Sequence, residues 1–482
     1  MRIALVSAEV APFAKTGGLG DVAASLGHYL KEAGHDVRLF LPLYGNLRID
    51  RSALTPVEFL QGFPLHLGNR EYTLSVYTAP LPGTQTWVYF ISCPPLYARK
   101  SIYCMDGDEH LRFGVLSAGA LAACQRMGFA PDIVHANDWH TALLPLFLRT
   151  HFAWDELFKN TKTVLTLHNL GYQGMFPSSI LPDLGLDKHA QLLEHNDLAI
   201  GRVGFMKTGI LYANAVTAVS ETYAREIQTE EHGFGLDGLL RARSASVHGI
   251  TNGVDYDVWS PEIDTLIPKT YSASDLSGKR VCKNELLSEL NLAPVSETSG
   301  PVFGIVSRLT KQKGFELGYE VLPRVVGRQD VRLVVLGSGD PTIAGFFEQM
   351  ARAFPQKVAF VNRYDDRLAH RIEAGSDIFL MPSFFEPCGL NQMYSLKYGT
   401  IPIVRRVGGL ADTVDLWDPE TRTGTGISFD HFTSAGFSWA VDAAVELWKD
   451  QPAWRQLQQN AMAADFSWGK QVDQYLALYR SL

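Results

Sequence analysis

The chain has no run of 18 apolar residues, no dense basic stretch and no close pair of cysteines, and each absence narrows what it does. Without a long apolar run no transmembrane helix is expected, and the short stretch Ile3 to Val6 meets Glu9 and Lys15 too soon for a secretory signal. Basic residues interleaved with aromatics are missing, and 43 Lys plus Arg against 51 Asp plus Glu leave a net charge of −8. Nucleic acid is therefore not an expected partner. The five cysteines (Cys93, Cys104, Cys124, Cys282, Cys388) are odd in number, widely spaced and never CxxC. That argues against structural zinc and fits a reducing, cytoplasmic setting.

What is present is 482 residues with 46% hydrophobic content, enough for two or three domains with ordinary cores. Short apolar runs at Ile3 to Ser7, Asp36 to Leu41, Ile133 to Ala136, Lys162 to Leu167 and Ala215 to Val219 read as buried strands. Helix-length pieces such as Gly114 to Met127 separate them, which predicts a parallel, doubly wound α/β sheet. A second series follows: Val302 to Val306, Arg332 to Leu336, Val358 to Val361, Ile378 to Met381 and Ile401 to Val404, with helices at Phe315 to Val325 and Ala369 to Ala374. Asn252 to Leu276, rich in Asp, Pro, Ser and Tyr, reads as an irregular hinge. The predicted division is 1–251 and 252–464, each a Rossmann-like domain, with 465–482 a closing helix returning to the first. Two such domains in tandem predict a cleft at the carboxyl ends of both sheets.

Chemistry is therefore expected in strand-end loops. Lys15-Thr16-Gly17-Gly18-Leu19-Gly20-Asp21 lies between the first strand and a helix expected from Val22 to Glu32, a layout that presents N–H groups to a phosphate with a lysine at the mouth. It matches neither GxxxxGK[ST] nor GxGxxG. His135 to His140 and Thr166 to Gly174 end two further strands of the first series. In the second, Ser307 to Gly314 carries Arg308 and Lys313, a cation pair suited to a diphosphate. Phe385-Glu386-Pro387-Cys388-Gly389-Leu390 leads into a helix near Asn391, so Glu386 is expected beside a helix start. Each has a structural alternative: His168 a hydrogen-bonded strand end, Arg308 and Lys313 solvated surface charges, Glu386 a helix-end carboxylate, Cys388 a small buried apolar group. Their coincidence at strand ends favours function.

Glu9 with Lys15 to Asp21, His135 to His140, Thr166 to Gly174, Tyr212 to Gln228, Gly235 to Leu240, Thr251 to Asp255, Ser307 to Gly314 and Phe385 to Leu390 together resemble the signatures of bacterial glycogen synthases and plant starch synthases. The resemblance runs end to end and in order. It implies a GT-B fold and a retaining, metal-free transfer of glucose from a nucleotide diphosphate sugar, usually ADP-glucose, to the non-reducing end of an α-1,4-glucan. No cofactor is implied beyond the donor, and an oligomer is compatible with it. By resemblance Lys15, Gly17 and Gly18 hold the diphosphate from one side and Arg308 and Lys313 from the other. Glu386, aided by Cys388 and Gly389 with Leu390 and Asn391 following, grips the donor glucose; His168 and Asn252 are further sugar contacts, and Asp138 takes an acidic role near the acceptor.

Tyr364 resembles the tyrosine that stacks on adenine, with Arg363 in place of a small residue. Many related transferases carry a second Glu eight positions after the first, where it holds ribose; Tyr394 stands there, which favours ADP-glucose. Phe384 and Val407 also depart from the commoner Arg and Thr. Asp106-Gly107-Asp108 and Asp255-Tyr256-Asp257 have DxD spacing but do not directly follow strands, and are read as turn acids. UDP-glucose or a small acceptor, a sugar-nucleotide epimerase, and a non-catalytic glucan- or nucleotide-binding protein are the competing readings. Acceptor dependence and donor competition separate them.

Overall fold

The computed structural model describes residues 1–104, 106–296 and 299–482. The chain divides into two compact units, the first comprising Met1–Val219, Ala224–Ile250 and Trp468–Leu482 and the second Ser220–Tyr223 and Thr251–Ser467. A linear reading misses that Ser220–Tyr223 belong with the second unit. They do so because Ser220 Oγ donates to the Pro387 carbonyl at 2.6 Å and the Thr222 N–H to Asp412 at 2.8 Å.

In the first unit the strands are β1 (Arg2–Val6), β2 (Asp36–Pro42), β3 (Thr55–Pro56), β4 (Phe63–Leu67), β5 (Arg70–Pro80), β6 (Trp87–Ser92), β7 (Ile133–Asn137), β8 (Lys162–Leu167), β9 (Met175–Pro177), β10 (Arg202–Gly204), β11 (Ala215–Ala218) and β12 (Val247–Gly249). Ten form one sheet in the order β12-β11-β8-β7-β1-β2-β6-β5-β3, with β4 also on β5. The segment from β12 to β6 is parallel, and β1, β7 and β8 are almost wholly buried, as expected of strands covered on both faces. The expectation of a purely parallel sheet is corrected at one edge: β5 runs antiparallel to β6, β3 and β4. Its burial alternates along Tyr72 to Thr78, so one face packs and the other meets solvent.

Two helices begin earlier than their apolar spacing suggests, at Gly18–Glu32 and Glu109–Arg126, because glycine and acidic residues complete their first turns. The order reverses at β1, whose neighbours are β2 and β7. The loops after β1, β7 and β8 thus leave adjacent strands at the same edge, where open α/β sheets bind ligands. The last helix, Trp468–Ser481, packs on Gly18–Glu32, and the Trp468 ring lies parallel to Tyr29 with centroids 6.4 Å apart.

The second unit is a six-stranded parallel sheet of β13 (Val302–Val306), β14 (Arg332–Leu336), β15 (Val358–Val361), β16 (Ile378–Met381), β17 (Ile401–Arg405) and β18 (Ile427–Phe429). Its order is β15-β14-β13-β16-β17-β18, so the switch point lies between β13 and β16. One face packs against helices Gly318–Arg328, Ser434–Lys449 and Gln451–Ala463 through Val325, Val441 and Trp454, the other against Ser277–Glu289 and Asp366–Gly375 through Leu286 and Ile372. Among the described residues no helix is long and apolar enough to cross a membrane.

The closing helix generates a stability prediction. Trp468 is 1% exposed in the first unit, so Trp468→Ala is expected to cost about 3–5 kcal/mol. The first unit's unfolding transition, followed by near-UV circular dichroism, should move to lower denaturant, while a loss under about 1 kcal/mol would contradict the packing described.

Candidate functional site

In the second unit two loops meet at the switch point. The backbone joins them: the Phe384 N–H donates to the Gln312 carbonyl at 2.8 Å, and Gln312 Nε2 to the Phe385 carbonyl at 3.3 Å. Gly314, at φ 69°, makes this approach possible, since a Cβ there would sit 2.0 Å from the Pro382 oxygen. The result is that Lys313 Nζ lies 2.6 Å from Glu386 Oε2, with side chains 17% and 6% exposed. Ser383 Oγ donates to the same Oε2 at 3.0 Å. Glu386 is thus not a plain helix-end carboxylate, nor is Lys313 a solvated charge. Arg308, on the loop after β13, is exposed.

Beyond Glu386 the chain is pinned on several sides. The Gly409 N–H donates to the Glu386 carbonyl at 3.1 Å, and Gly409 has no room for a side chain, as a Cβ would meet Cys388 Cα at 2.4 Å. The Cys388 thiol is buried, pushed up to about 12 by desolvation, and hydrogen-bonded by Asn252. It is a neutral packing group rather than a nucleophile. Asn252 is 5% exposed, and its Oδ1 is buried with no hydrogen-bond partner among the described residues, so it can accept from a ligand. Gly389 adopts φ 74° before Leu390 and the helix Asn391–Lys397, where Asn391 Nδ2 donates to the Val306 carbonyl at 2.8 Å. Tyr364, just past β15, is 58% exposed, with its hydroxyl 3.2 Å from Asp366 Oδ1.

Tyr394 is buried. It stacks on Trp259 with centroids 4.0 Å apart and planes at 2°, and Trp259 stacks in turn on His370 at 3.7 Å. This fastens the irregular 252–276 segment to the helices of its own unit. Of the DxD pairs, Asp106 and Asp108 are both taken by Arg99, and Asp255 accepts the Asp257 N–H at 3.1 Å to close a turn.

In the first unit the loops after β1, β7 and β8 carry the candidates. Lys15 Nζ pairs with Asp21 at 2.8 Å. The Gly17 N–H, expected to face a phosphate, donates instead to Glu9 at 3.3 Å, and Gly18 opens the helix with its surface exposed. The Gly17 amide thus has one of the protein's own carboxylates as a partner. Asp138 has φ 56° and is 6% exposed, and its Oδ1 accepts the N–H groups of His168 at 2.8 Å and Asn169 at 3.3 Å. It therefore shapes the end of β8. The Asn137 side chain donates to the Val6 carbonyl at 3.1 Å, and its Oδ1 accepts from His168 Nε2 at 2.9 Å. That fixes the tautomer of His168 and leaves Nδ1 as its acceptor.

Desolvation dominates the protonation of this edge. Burial lowers His168, His135 and His140 to about 3, and raises Asp138 to about 7 against the pull of its two backbone donors. Tyr103 and Ser383 are absent from the sequence-based site, and Glu9 enters the sequence reading only as part of the family signature, without a role. Glu9 carries a legible signal, an acid directly after a buried strand, whereas Tyr103 carries none.

Asp138 gives a signed pH dependence. Its folded pKa lies above the ordinary 3.8, so the folded state holds the extra proton and stability is lost as pH rises from about 4 to 7. Asp138→Asn keeps the Oδ1 acceptor and removes this loss. The melting temperature of the variant minus that of the parent should rise across that window and level off above pH 7; a difference that is flat or falling would contradict it.

Comparisons with known proteins agree with this arrangement. Residues 2–242 match the model of the starch synthase catalytic domain, and residues 293–461 that of glycosyl transferases group 1. The chain is 43% identical to a glycogen synthase of Koribacter versatilis, covering 99% of this chain and 98% of that protein. It is 44% identical to one of Anaeromyxobacter dehalogenans over 100% and 99%. Its structure is similar to the catalytic domain of starch synthase IV from Arabidopsis thaliana bound to ADP and acarbose, with a TM-score of 0.92 at 35% identity, covering 100% and 99% of the two chains. A sucrose-phosphate synthase from Thermosynechococcus elongatus, at TM-score 0.61 and 18% identity over 100% and 98%, shares the fold. With two Rossmann-like units in the GT-B arrangement of elements and matches along its whole length, this chain belongs to the glycogen synthase and starch synthase family of glycosyltransferases.

Proposed function

We propose that the enzyme transfers glucose from ADP-glucose to the non-reducing end of an α-1,4-glucan with retention at the anomeric carbon, using no metal and no cofactor. The observation that carries this reading is the Lys313–Glu386 pair, two charged side chains from separate strand-end loops brought to 2.6 Å at the switch point of the second sheet. Breaking the sugar–phosphate bond builds positive charge on the anomeric carbon and negative charge on the leaving diphosphate. Fixed cations at the phosphate are the most economical catalysts for that change. Lys313 and Arg308 take this role, supplying the charge a divalent ion would otherwise supply. Lys15 is assigned to a donor phosphate on its sequence resemblance.

Glu386 accepts hydroxyls of the donor glucose, and the unsatisfied Asn252 Oδ1 is a further acceptor for that sugar. His168, neutral because burial lowers it to about 3, offers Nδ1 to a hydroxyl without adding positive charge near the forming cation. Cys388 is held as a thiol, and no covalent nucleophile is assigned; front-face transfer, with the departing phosphate accepting the acceptor's proton, is the mechanism the family resemblance implies. Asp138 acts by fixing His168 through its backbone.

Adenine is assigned on the resemblance: Tyr364, 58% exposed, offers a ring face to a base, and Tyr394, stacked on Trp259, stands where many related transferases carry a ribose-binding acid. The starch synthase IV structure, described as bound to ADP and acarbose, is in keeping with this. Five cysteines, all free thiols, support a cytoplasmic location.

The test is nucleotide release from ADP-glucose and UDP-glucose, each with and without glycogen, in the presence of EDTA. Glycogen-dependent ADP release that survives EDTA is expected. Preference for UDP-glucose would overturn the base assignment, loss with EDTA the metal-free mechanism, and release independent of glycogen the transferase reading.

A further inference from the structure

Glu9 is 3% exposed, and the reaction outlined above makes no use of it. Four donors converge on its carboxylate. The Thr16 N–H reaches Oε2 at 2.6 Å and the Gly17 N–H the same oxygen at 3.3 Å. Thr16 Oγ1 donates to Oε1 at 2.7 Å and the Tyr103 hydroxyl to Oε1 at 2.6 Å. Two donors on each oxygen fill its acceptor capacity, so Glu9 has nothing left to offer a substrate. Its own backbone is held by Ser7, whose Oγ accepts the Glu9 N–H at 3.2 Å and donates to the Glu9 carbonyl at 2.6 Å.

The groups that Glu9 holds lead to both polar clusters of this edge. Thr16 and Gly17 form the turn directly after Lys15, so the carboxylate fixes where that lysine leaves the backbone. Tyr103 lies in the other direction, its ring over His140 with centroids 5.0 Å apart and planes at 26°. His140 shares a short helix, Asp138–Thr141, with Asp138, which in turn holds the His168 and Asn169 N–H groups. A continuous series of contacts therefore joins the turn of Lys15 to His168: Thr16, Glu9, Tyr103, His140, Asp138.

We propose that Glu9 and Tyr103 are positioning residues that hold the Lys15 turn and the His168 strand end in fixed register on the ligand edge of the first unit. The proposal rests on the reading that Lys15 binds the donor's diphosphate. Glu9 acts by holding the Thr16 and Gly17 amides, which sets where the Lys15 ammonium meets phosphate. Tyr103 transmits the same placement to the neighbouring loop through its hydroxyl and its ring.

The experiment measures ADP affinity by calorimetry on the full-length protein. Glu9→Gln presents an amide N–H₂ to donors and breaks half of the set, while Tyr103→Phe removes one bond and keeps the ring on His140. We expect ADP affinity to fall about tenfold in Glu9→Gln and about threefold in Tyr103→Phe, and both effects to shrink below about twofold in a Lys15→Met background. A merely structural role would leave the losses additive with Lys15→Met, and that result would overturn the proposal. Unchanged affinity in Tyr103→Phe, a variant whose fold the retained ring protects, would overturn it as well. Unchanged affinity in Lys15→Met alone would instead overturn the assignment of Lys15 on which the proposal stands.

Discussion

A buried carboxylate needs a counter-charge, and for Glu386 that need is met by one contact, Lys313 Nζ on Oε2 at 2.6 Å, with the Ser383 hydroxyl donating to the same oxygen at 3.0 Å. Much of the surrounding structure exists to make it. The β13 and β16 strands are neighbours where the sheet order reverses, which puts their following loops side by side. Backbone bonds through Gln312 and Phe384 then set the spacing, and Gly314 and Gly409 let the chain segments approach to distances that no side chain permits. Cations and acid are thus arranged before any ligand arrives. That preorganisation is what transfer between a diphosphate and a sugar hydroxyl demands of a protein.

The first unit solves a different electrostatic problem. Its edge is built from neutral imidazoles, a carboxylate whose ionisation is pushed up to about 7, and one acid, Glu9, whose oxygens are filled by hydrogen bonds. Burial is the shared cause. It keeps the hydrogen-bonding roles of His168, His135 and His140 constant over the physiological pH range. Rigidity has the same origin: His135 is held between Tyr479 and Thr166, both at 2.6 Å, so the last helix of the chain braces the centre of the first sheet.

Most of the parallel strands were legible because buried strands are largely apolar: β1, β2, β7, β8 and β11, and β13 to β17, lie on runs that stand out from their surroundings, whereas the parallel strands β6, β12 and β18 were not read. The antiparallel arm of β3 to β5 was not read, although β5 carries an alternating pattern, because half of its residues are polar and face water. Lys15, Arg308, Lys313, Glu386 and His168 were legible as candidates from residue type and strand-end placement. Their partners were not. Glu386 lies 73 residues from Lys313 and Tyr103 lies 94 from Glu9, and no local pattern encodes contacts over such separations. For the same reason the contact of the Gly17 amide with Glu9 has no signature in the sequence.

The central claim is that Lys313 and Glu386 form one unit with divided labour, the ammonium serving the diphosphate and the carboxylate the sugar. It is tested most directly by measuring ADP affinity and glucan-dependent turnover together in Lys313→Met and Glu386→Gln. The account predicts that Lys313→Met loses both, while Glu386→Gln keeps ADP affinity within about twofold and loses turnover by about a hundredfold or more. Parent-like turnover in Glu386→Gln, or parent-like ADP affinity in Lys313→Met, would contradict it.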